Sequence, residues 1–418
     1  MGTTRRDGAT GAARAAHPDR DVRFLFAVGG ASGAAFIPFF VLLLRERGFH
    51  ADEIGLILAV SSFAGVVATP FWSHVADTRM GTVRTLQLTS VATAAIALGL
   101  LLTGTSLWAT VAVVAVLGVA SAPGTALGDV IALGHLGPER TTEYGEIRLW
   151  GSLGWAVAVL AFGAWFERSG LGPVLPVYAI GTLVYVAATT RFPAMRPGHV
   201  RQHVSRLGSV GEAFRSAPRL PPFLVGLLLV STATWGAWSF VPLRIVARGG
   251  GPFLVGLAAC VAAIVEIPFF RASGWLGEHV GLRRLYLSGC AVYVVMLVAW
   301  SLVAAPSLVA LMKMIGGAGF GLTYAALVVI TGRLVPERLR NTGQALMQIS
   351  TVGIGPVVGA AVGGVVYRHL GPPMLFASAA VLASIGAVVV RQALSGDEFA
   401  RTVHRTTDRA TRSDRESG

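Results

Sequence analysis

The sequence predicts an all-α integral membrane protein, with twelve transmembrane helices in two pseudo-symmetric six-helix bundles. Three observations predict it. Apolar residues make up 54% of the 418-residue chain and charged residues only 13%, against about 25% charged in soluble domains. The apolar residues gather into runs long enough to cross about 30 Å of hydrocarbon. One pattern also occurs twice, about 198 residues apart (343 − 145).

The runs occupy residues 24–44, 54–75, 86–103, 107–133, 149–166 and 174–190, then 223–243, 253–270, 285–305, 308–334, 345–366 and 374–390. The fourth and tenth are long enough to tilt or to extend beyond the bilayer. They divide the chain into a tail (1–23), a first bundle (24–195), a linker (196–221), a second bundle (222–391) and a second tail (392–418). The linker carries Arg196, Arg201, Arg206, Arg215 and Arg219 and reads as a cytoplasmic connection with a short surface helix. The second tail mixes both charge signs and reads as disordered. The first 21 residues have no apolar core of their own, so no cleaved signal peptide is expected.

The repeat is carried by Pro138-Glu139-Arg140 followed by Gly145, and by Pro336-Glu337-Arg338 followed by Gly343. Phe166-Glu167-Arg168 closing on Gly170 has a looser echo in Val366-Tyr367-Arg368 closing on Gly371. Gly274-x-Leu276-x-Glu278-x-x-Gly281-x-Arg283 has a degraded counterpart around Ser73-x-Val75-x-Asp77, with Gly81 one residue late. Three echoes in one order at nearly one offset indicate a duplicated bundle, an architecture that carries solutes with the site between its halves.

Charge placement sets the expected orientation. With the N-terminus in the cytoplasm, the tails and inner loops hold 26 of the 34 Lys+Arg residues. The outer loops hold Arg45, Arg47, Arg168, Arg244, Arg248 and Arg368. This is the positive-inside pattern, and it accounts for the net charge of +13 without nucleic-acid binding, which would need a basic face on a soluble fold. Cys260 and Cys290 both fall in apolar runs, so neither a disulfide framework nor a metal site is suggested. No cofactor is implied.

Enzyme chemistry finds little support. Gly30-Ala31-Ser32-Gly33 has the shape of an intramembrane protease serine motif, but none of the nine histidines lies in mid-span to act as its base. Small residues in a membrane helix more often permit close helix packing, and that reading is preferred. An ATP-driven pump would need a phosphate-binding loop that the sequence lacks.

Four charges lie within or beside the runs: Asp129, Arg148, Glu266 and Lys313. Isolated charges at depth are costly and usually pair or line a wet cavity. Arg148 could instead snorkel to the inner surface, and Asp129, after Pro123-Gly124, could lie at headgroup level. Glu266 has only Ile-Pro-Phe-Phe between it and Arg271, a poorly aligned spacing for an ion pair within one helix, which favours a functional role. Lys313 is the only lysine in the chain. With arginine at every other basic position, it suggests that a compact ammonium was wanted there.

The stretch from Glu143-Tyr144-Gly145-Glu146-Ile147-Arg148 to Trp155-Ala156 resembles the fifth helix of the lactose-permease branch of the major facilitator superfamily. It also resembles the phenylpropionate-permease-like and nucleoside–proton symporter relatives. Leu42-Leu43-Leu44 through Gly48 to Glu53-Ile54-Gly55 is similar to their first outer loop, and Val265-Glu266-Ile267-Pro268-Phe269-Phe270 to the eighth helix of the phenylpropionate-like group. The resemblance implies a substrate site of Asp129, Arg148, Trp155 and Glu266. Glu266, Asp129 and Lys313 are then the candidates for proton coupling. Asp77, Gly274, Glu278, Gly281 and Arg283 match a cytoplasmic gating loop. A carboxylate–guanidinium pair offers acceptors and forked donors, and an indole offers a flat apolar face.

Departures matter equally. The permease's tenth-helix His and Glu appear as Gly316 and Gly319, its seventh-helix acids as Gly236 and Ser239, and a ninth-helix arginine position holds Tyr293 and Val294. Phe269 replaces a polar sugar contact. The second half of the cavity is therefore expected to be less polar than a sugar site. The resemblance implies a proton-coupled carrier of the plasma membrane, monomeric in the bilayer, taking a small organic solute with a ring and polar groups. Drug or metabolite efflux and a non-transporting sensor are the alternatives.

Overall fold

The computed structural model describes residues 18–137, 140, 143–193 and 207–395. Among these residues, eleven helices are long and apolar enough to cross a membrane, and Val174–Thr189 is a shorter apolar helix in the sixth place. In chain order the spans of the first half are Asp19–Glu46, Ala51–Met80, Thr82–Leu102, Leu107–Leu136, Tyr144–Ser169 and Val174–Thr189. Those of the second half are Leu220–Val246, Pro252–Val280, Leu282–Leu302, Pro306–Leu334, Glu337–Leu370 and Pro372–Ala393. They are numbered 1 to 12 below. The near side is where the chain enters span 1, and the far side is the opposite end.

Each of the twelve expected runs coincides with a span, most of them longer at one or both ends, while the third, sixth and ninth stop short at Leu102, Thr189 and Leu302 and the fourth is two helices, Leu107–Ser121 and Gly124–Leu136. The first helix begins at Pro18, inside the expected tail. Span 11 begins well before residue 345, because a short 3-10 turn and the polar helix Arg340–Gln348 precede its apolar part. The expected surface helix of the linker is Leu207–Ser216. Linker residues 196–206 with 194 and 195 before them, tail residues 1–17 and 396–418, Pro138 and Glu139 of the repeated motif, and residues 141 and 142 lie outside the described residues.

Packing repeats with the sequence. In the first half, span 1 packs on 5 and 6, span 2 on 4, and span 3 on 4 and 6. In the second half, span 7 packs on 11 and 12, span 8 on 10, and span 9 on 10 and 12. Spans 3, 6, 9 and 12 make their principal contacts within their own half and expose Leu98, Ile180, Val295 and Val381 outward. In water these would form apolar patches of the kind that seek a partner; here lipid covers them.

The halves meet chiefly where span 2 crosses 11 and span 5 crosses 8. Both crossings are glycine contacts toward the far side. A Cβ on Gly55 would sit 2.4 Å from the Ala360 carbonyl, and one on Gly364 2.5 Å from that of Ala51. At the other crossing, a Cβ on Gly256 would sit 2.5 Å from the Val159 carbonyl, and one on Gly163 2.9 Å from that of Pro252. Gly55 corresponds to Gly256 and Gly163 to Gly364 at one offset (256 − 55 and 364 − 163, both 201). Each crossing is tied beyond its glycines. Arg368 Nη1 reaches Asp52 at 2.7 Å, and the Phe253 N–H donates to Glu167 Oε2 at 2.8 Å.

Other duplicated devices now have physical roles. Gly81 and Gly281 turn spans 2 and 8 into their successors with φ of 76° and 89°, where a side chain would be strained. Arg47 Nη1 donates to the Leu100 carbonyl at 2.8 Å, and Arg244 Nη2 to that of Val303 at 3.0 Å. Each guanidinium meets the negative C-terminal end of span 3 or span 9, which explains how Arg244 can be only 3% exposed. The repeated motif is a strap. Arg140 holds Asp19 at the start of span 1 (2.8 Å), and Arg338 holds Glu212 just before span 7 (3.1 Å).

Overpacking costs about 1–3 kcal/mol in a tight core, so Gly256→Leu is expected to lower the melting temperature of the purified protein by several degrees. Gly65→Ala, whose added Cβ meets nothing nearer than 3.5 Å, should leave it unchanged. Equal melting temperatures for the two variants would remove the crossing from the fold's supports.

Candidate functional site

A cavity of about 710 Å³ lies within the first half and reaches span 8 of the second, within the usual size range for small-molecule sites. Its wall is drawn from spans 1 to 6 and, from the second half, Ala263 and Glu266 of span 8. The lining runs from mid-bundle toward the near side, and the glycine crossings close the other end.

Asp129, Arg148, Trp155 and Glu266 all line it. Span 4 breaks at Ala122-Pro123, where proline cannot continue the hydrogen-bond ladder, and the second piece, Gly124–Leu136, carries Asp129. Arg148 Nη1 lies 3.3 Å from Asp129 Oδ1 and 3.3 Å from the Tyr144 hydroxyl. These distances are long for charge-assisted bonds, which run about 2.7–2.9 Å, and Arg148 is 55% exposed to the cavity. Such a pair contributes only about 0–1 kcal/mol to stability. The pair is held loosely, with donors and acceptors to spare.

Trp155 is placed by the small residues of span 1. A Cβ on Gly30 would strike the Gly151 carbonyl at 2.1 Å, and one on Gly33 would meet the Trp155 ring at 3.2 Å. Gly30-Ala31-Ser32-Gly33 therefore packs span 1 against span 5. Ser32 Oγ is 3.0 Å from Thr182 Oγ1. Glu266 lies on span 8 two residues before Pro268, at its close approach to span 10, where a Cβ on Gly321 would lie 3.1 Å from the Glu266 carbonyl. Arg148 is within electrostatic reach of Glu266.

Lys313 is not in the cavity wall. Its ammonium lies 5.7 Å from the centre of the Trp238 ring, and among the described residues it has no ion pair or hydrogen bond. The gating-loop residues sit at the near-side ends. Asp77 lies in the π-helical turn Ala76–Met80 before Gly81, Gly274 and exposed Glu278 on the last turns of span 8, and Gly281 at the turn. Arg283 donates to the Leu394 carbonyl at 3.3 Å, tying span 9 to the end of span 12 within one half.

Where the resemblance placed charged pairs, the second half packs glycines closely against their neighbours. A Cβ on Gly319 would lie 2.8 Å from the Tyr293 ring, on Gly316 2.7 Å from Met296 Sδ, and on Gly236 2.7 Å from the Gly359 carbonyl. The first half supplies hydroxyls that charge-based reading missed: Thr89, Thr93, Ser121, Thr125, Ser152 and Thr182. Their signal was present in span 3, where Thr85, Thr89 and Thr93 recur every four residues on one helix face, each donating to the carbonyl four residues back.

The family model described as MFS_1 like family matches residues 23–378. The chain belongs to this family. Its fold and relatives are those of transporters rather than enzymes. A maltose permease of Geobacillus stearothermophilus is 28% identical over 385 residues, covering 90% of this chain and 95% of that protein. The multidrug resistance protein MdtG of Citrobacter koseri is 23% identical over 338 residues, 78% of this chain and 82% of MdtG. A crystal structure of a mutant of the nucleoside transporter NupG superposes with a TM-score of 0.79 at 16% identity, covering 90% of this chain and 100% of that one. The shared fold of this MFS_1-like chain and NupG includes the pseudo-symmetric halves described above.

Because the Asp129–Arg148 pair adds little to stability, Asp129→Asn should shift the melting temperature by no more than about 2 °C, given about 0–1 kcal/mol for such a pair. A loss of many degrees would make the pair a structural brace rather than a site.

Proposed function

We propose that this MFS_1-like protein imports a small ring-bearing polar solute by alternating access, coupled to proton entry. The observation that carries the reading is the cavity itself. One indole face (Trp155), one carboxylate–guanidinium pair (Asp129, Arg148) and a wall of hydroxyls face one carboxyl, Glu266, on the opposite half. A ring stacks on the indole, and its polar groups bond to forked donors and acceptors. The name of the maltose permease relative supports a sugar-like solute. The second half brings only Ala263 and Glu266 to the wall, so the polar contacts of the solute fall mainly to the first half.

The near side takes the cytoplasm, from the arginine bias of its loops, and the cavity described then faces inward. The membrane is the plasma membrane, and the chain works as a monomer. Glu266 is the coupling group in this reading. Among the described residues it is the one ionisable group that the second half brings to the cavity wall, and releasing or binding one proton there changes the charge that Arg148 meets across the gap.

The test uses the full-length protein in proteoliposomes with an imposed pH gradient and radiolabelled maltose, glucose, uridine and glucuronate as probes. Inward accumulation of at least one is expected. Glu266→Gln should abolish accumulation while leaving exchange at equilibrium measurable. Accumulation by Glu266→Gln would remove Glu266 from coupling. Expulsion of the probes under the gradient would favour efflux, the direction that MdtG's name suggests.

A further inference from the structure

Lys313 and Trp238 are left over from the site above. Lys313 lies seven residues into span 10 from the far side, roughly 10 Å at 1.5 Å per residue, whereas Glu266 lies fourteen residues into span 8, roughly 21 Å deep. Lys313 is thus well above the cavity floor, beneath the closed far-side crossings. It shares a helix face with Phe320 and Tyr324, at seven and eleven residues on. Tyr324 is within electrostatic reach of Arg148. That face therefore looks onto the central axis rather than lipid. A column of rings joins its two ends: Trp238 to Phe320 at 6.3 Å, and Phe320 to Tyr324 at 5.3 Å.

At the top of this column two donors lack acceptors. The Lys313 ammonium has the Trp238 ring beside it and, among the described residues, no carboxylate. The Trp238 Nε1–H is fully buried and, among the described residues, has no hydrogen-bond partner. A lone cation at membrane depth ordinarily finds a counter-charge, and a buried indole N–H ordinarily finds an acceptor. The positions where the resemblance expected acids are Gly236 and Ser239. None of the described residues supplies a counter-charge at this place.

We propose that Lys313 and Trp238 form a carboxylate-binding subsite on the far half of the transport path. It receives the anionic group of a ring-bearing substrate when the far side opens, while the ring stacks along Trp238 and Phe320. The ammonium supplies charge and the indole N–H one directed bond, so a carboxylate bridging the two satisfies both. This deepens the carrier reading and rests on it, narrowing the solute to a ring carboxylate.

The test is ligand-induced thermal stabilisation of the purified full-length protein with matched pairs: glucuronate against glucose, and benzoate against benzyl alcohol. In at least one pair the carboxylate should bind tenfold or more tightly than its neutral partner. Lys313→Met should erase that preference without weakening the neutral partner, and Lys313→Arg should retain most of it. A preference that survives Lys313→Met overturns the subsite, as does equal binding within every pair. Binding of neutral rings alone overturns it and leaves the carrier reading standing. No binding by any of the four overturns it and counts against the carrier reading as well.

Discussion

The architecture depends on two places where backbone touches backbone. At Gly55–Gly364 and Gly163–Gly256 there is no room for a methyl group, and each contact lies toward the same end of the molecule. Without a hydrophobic drive between membrane helices, such close approach supplies the packing that holds the halves together. Because both crossings sit on one side, they close that side and leave the cavity to widen toward the other. The Asp52–Arg368 pair and the Glu167 contact to Phe253 then lie just beyond the crossings, where a small rotation would break them.

Charge economy explains much of the remainder. The buried Arg244 is spent on a helix end, Arg140 and Arg338 on straps, and Arg148 on a loose pair in a wet cavity. Lys313 stands apart. A cation–π contact contributes about 0.5–2 kcal/mol, and a charge within a span that finds no counter-charge is costly. An uncompensated residue kept at that cost is better explained by a ligand than by the fold.

The fold was legible because the physics behind it is coarse. Runs of about twenty apolar residues span a bilayer, and duplication repeats motifs at a fixed offset. Asp129, Arg148 and Glu266 were legible as charges in the wrong solvent, and Trp155 through its neighbours in the fifth-helix motif. The hydroxyl wall was not, since serine and threonine in membrane helices commonly bond their own backbone and carry no charge to betray them. The polar start of span 11 escaped because Arg340–Gln348 breaks the apolar count while remaining helical. The glycines at the crossings looked like any of the 52 in the chain until their neighbours were known.

If the halves rock so that one cavity is reached from alternate sides, the far-side contacts must part before the outer face gains access. The direct measurement is labelling of Ser121→Cys, in a Cys260→Ala/Cys290→Ala background, with a membrane-impermeant maleimide in right-side-out and inside-out vesicles. Rapid labelling is expected from the cytoplasmic face. Labelling from the outer face should be slow until Arg368→Ala removes the far-side pair, and then rise severalfold. Labelling from the outer face alone, or no gain on breaking that pair, would contradict such rocking.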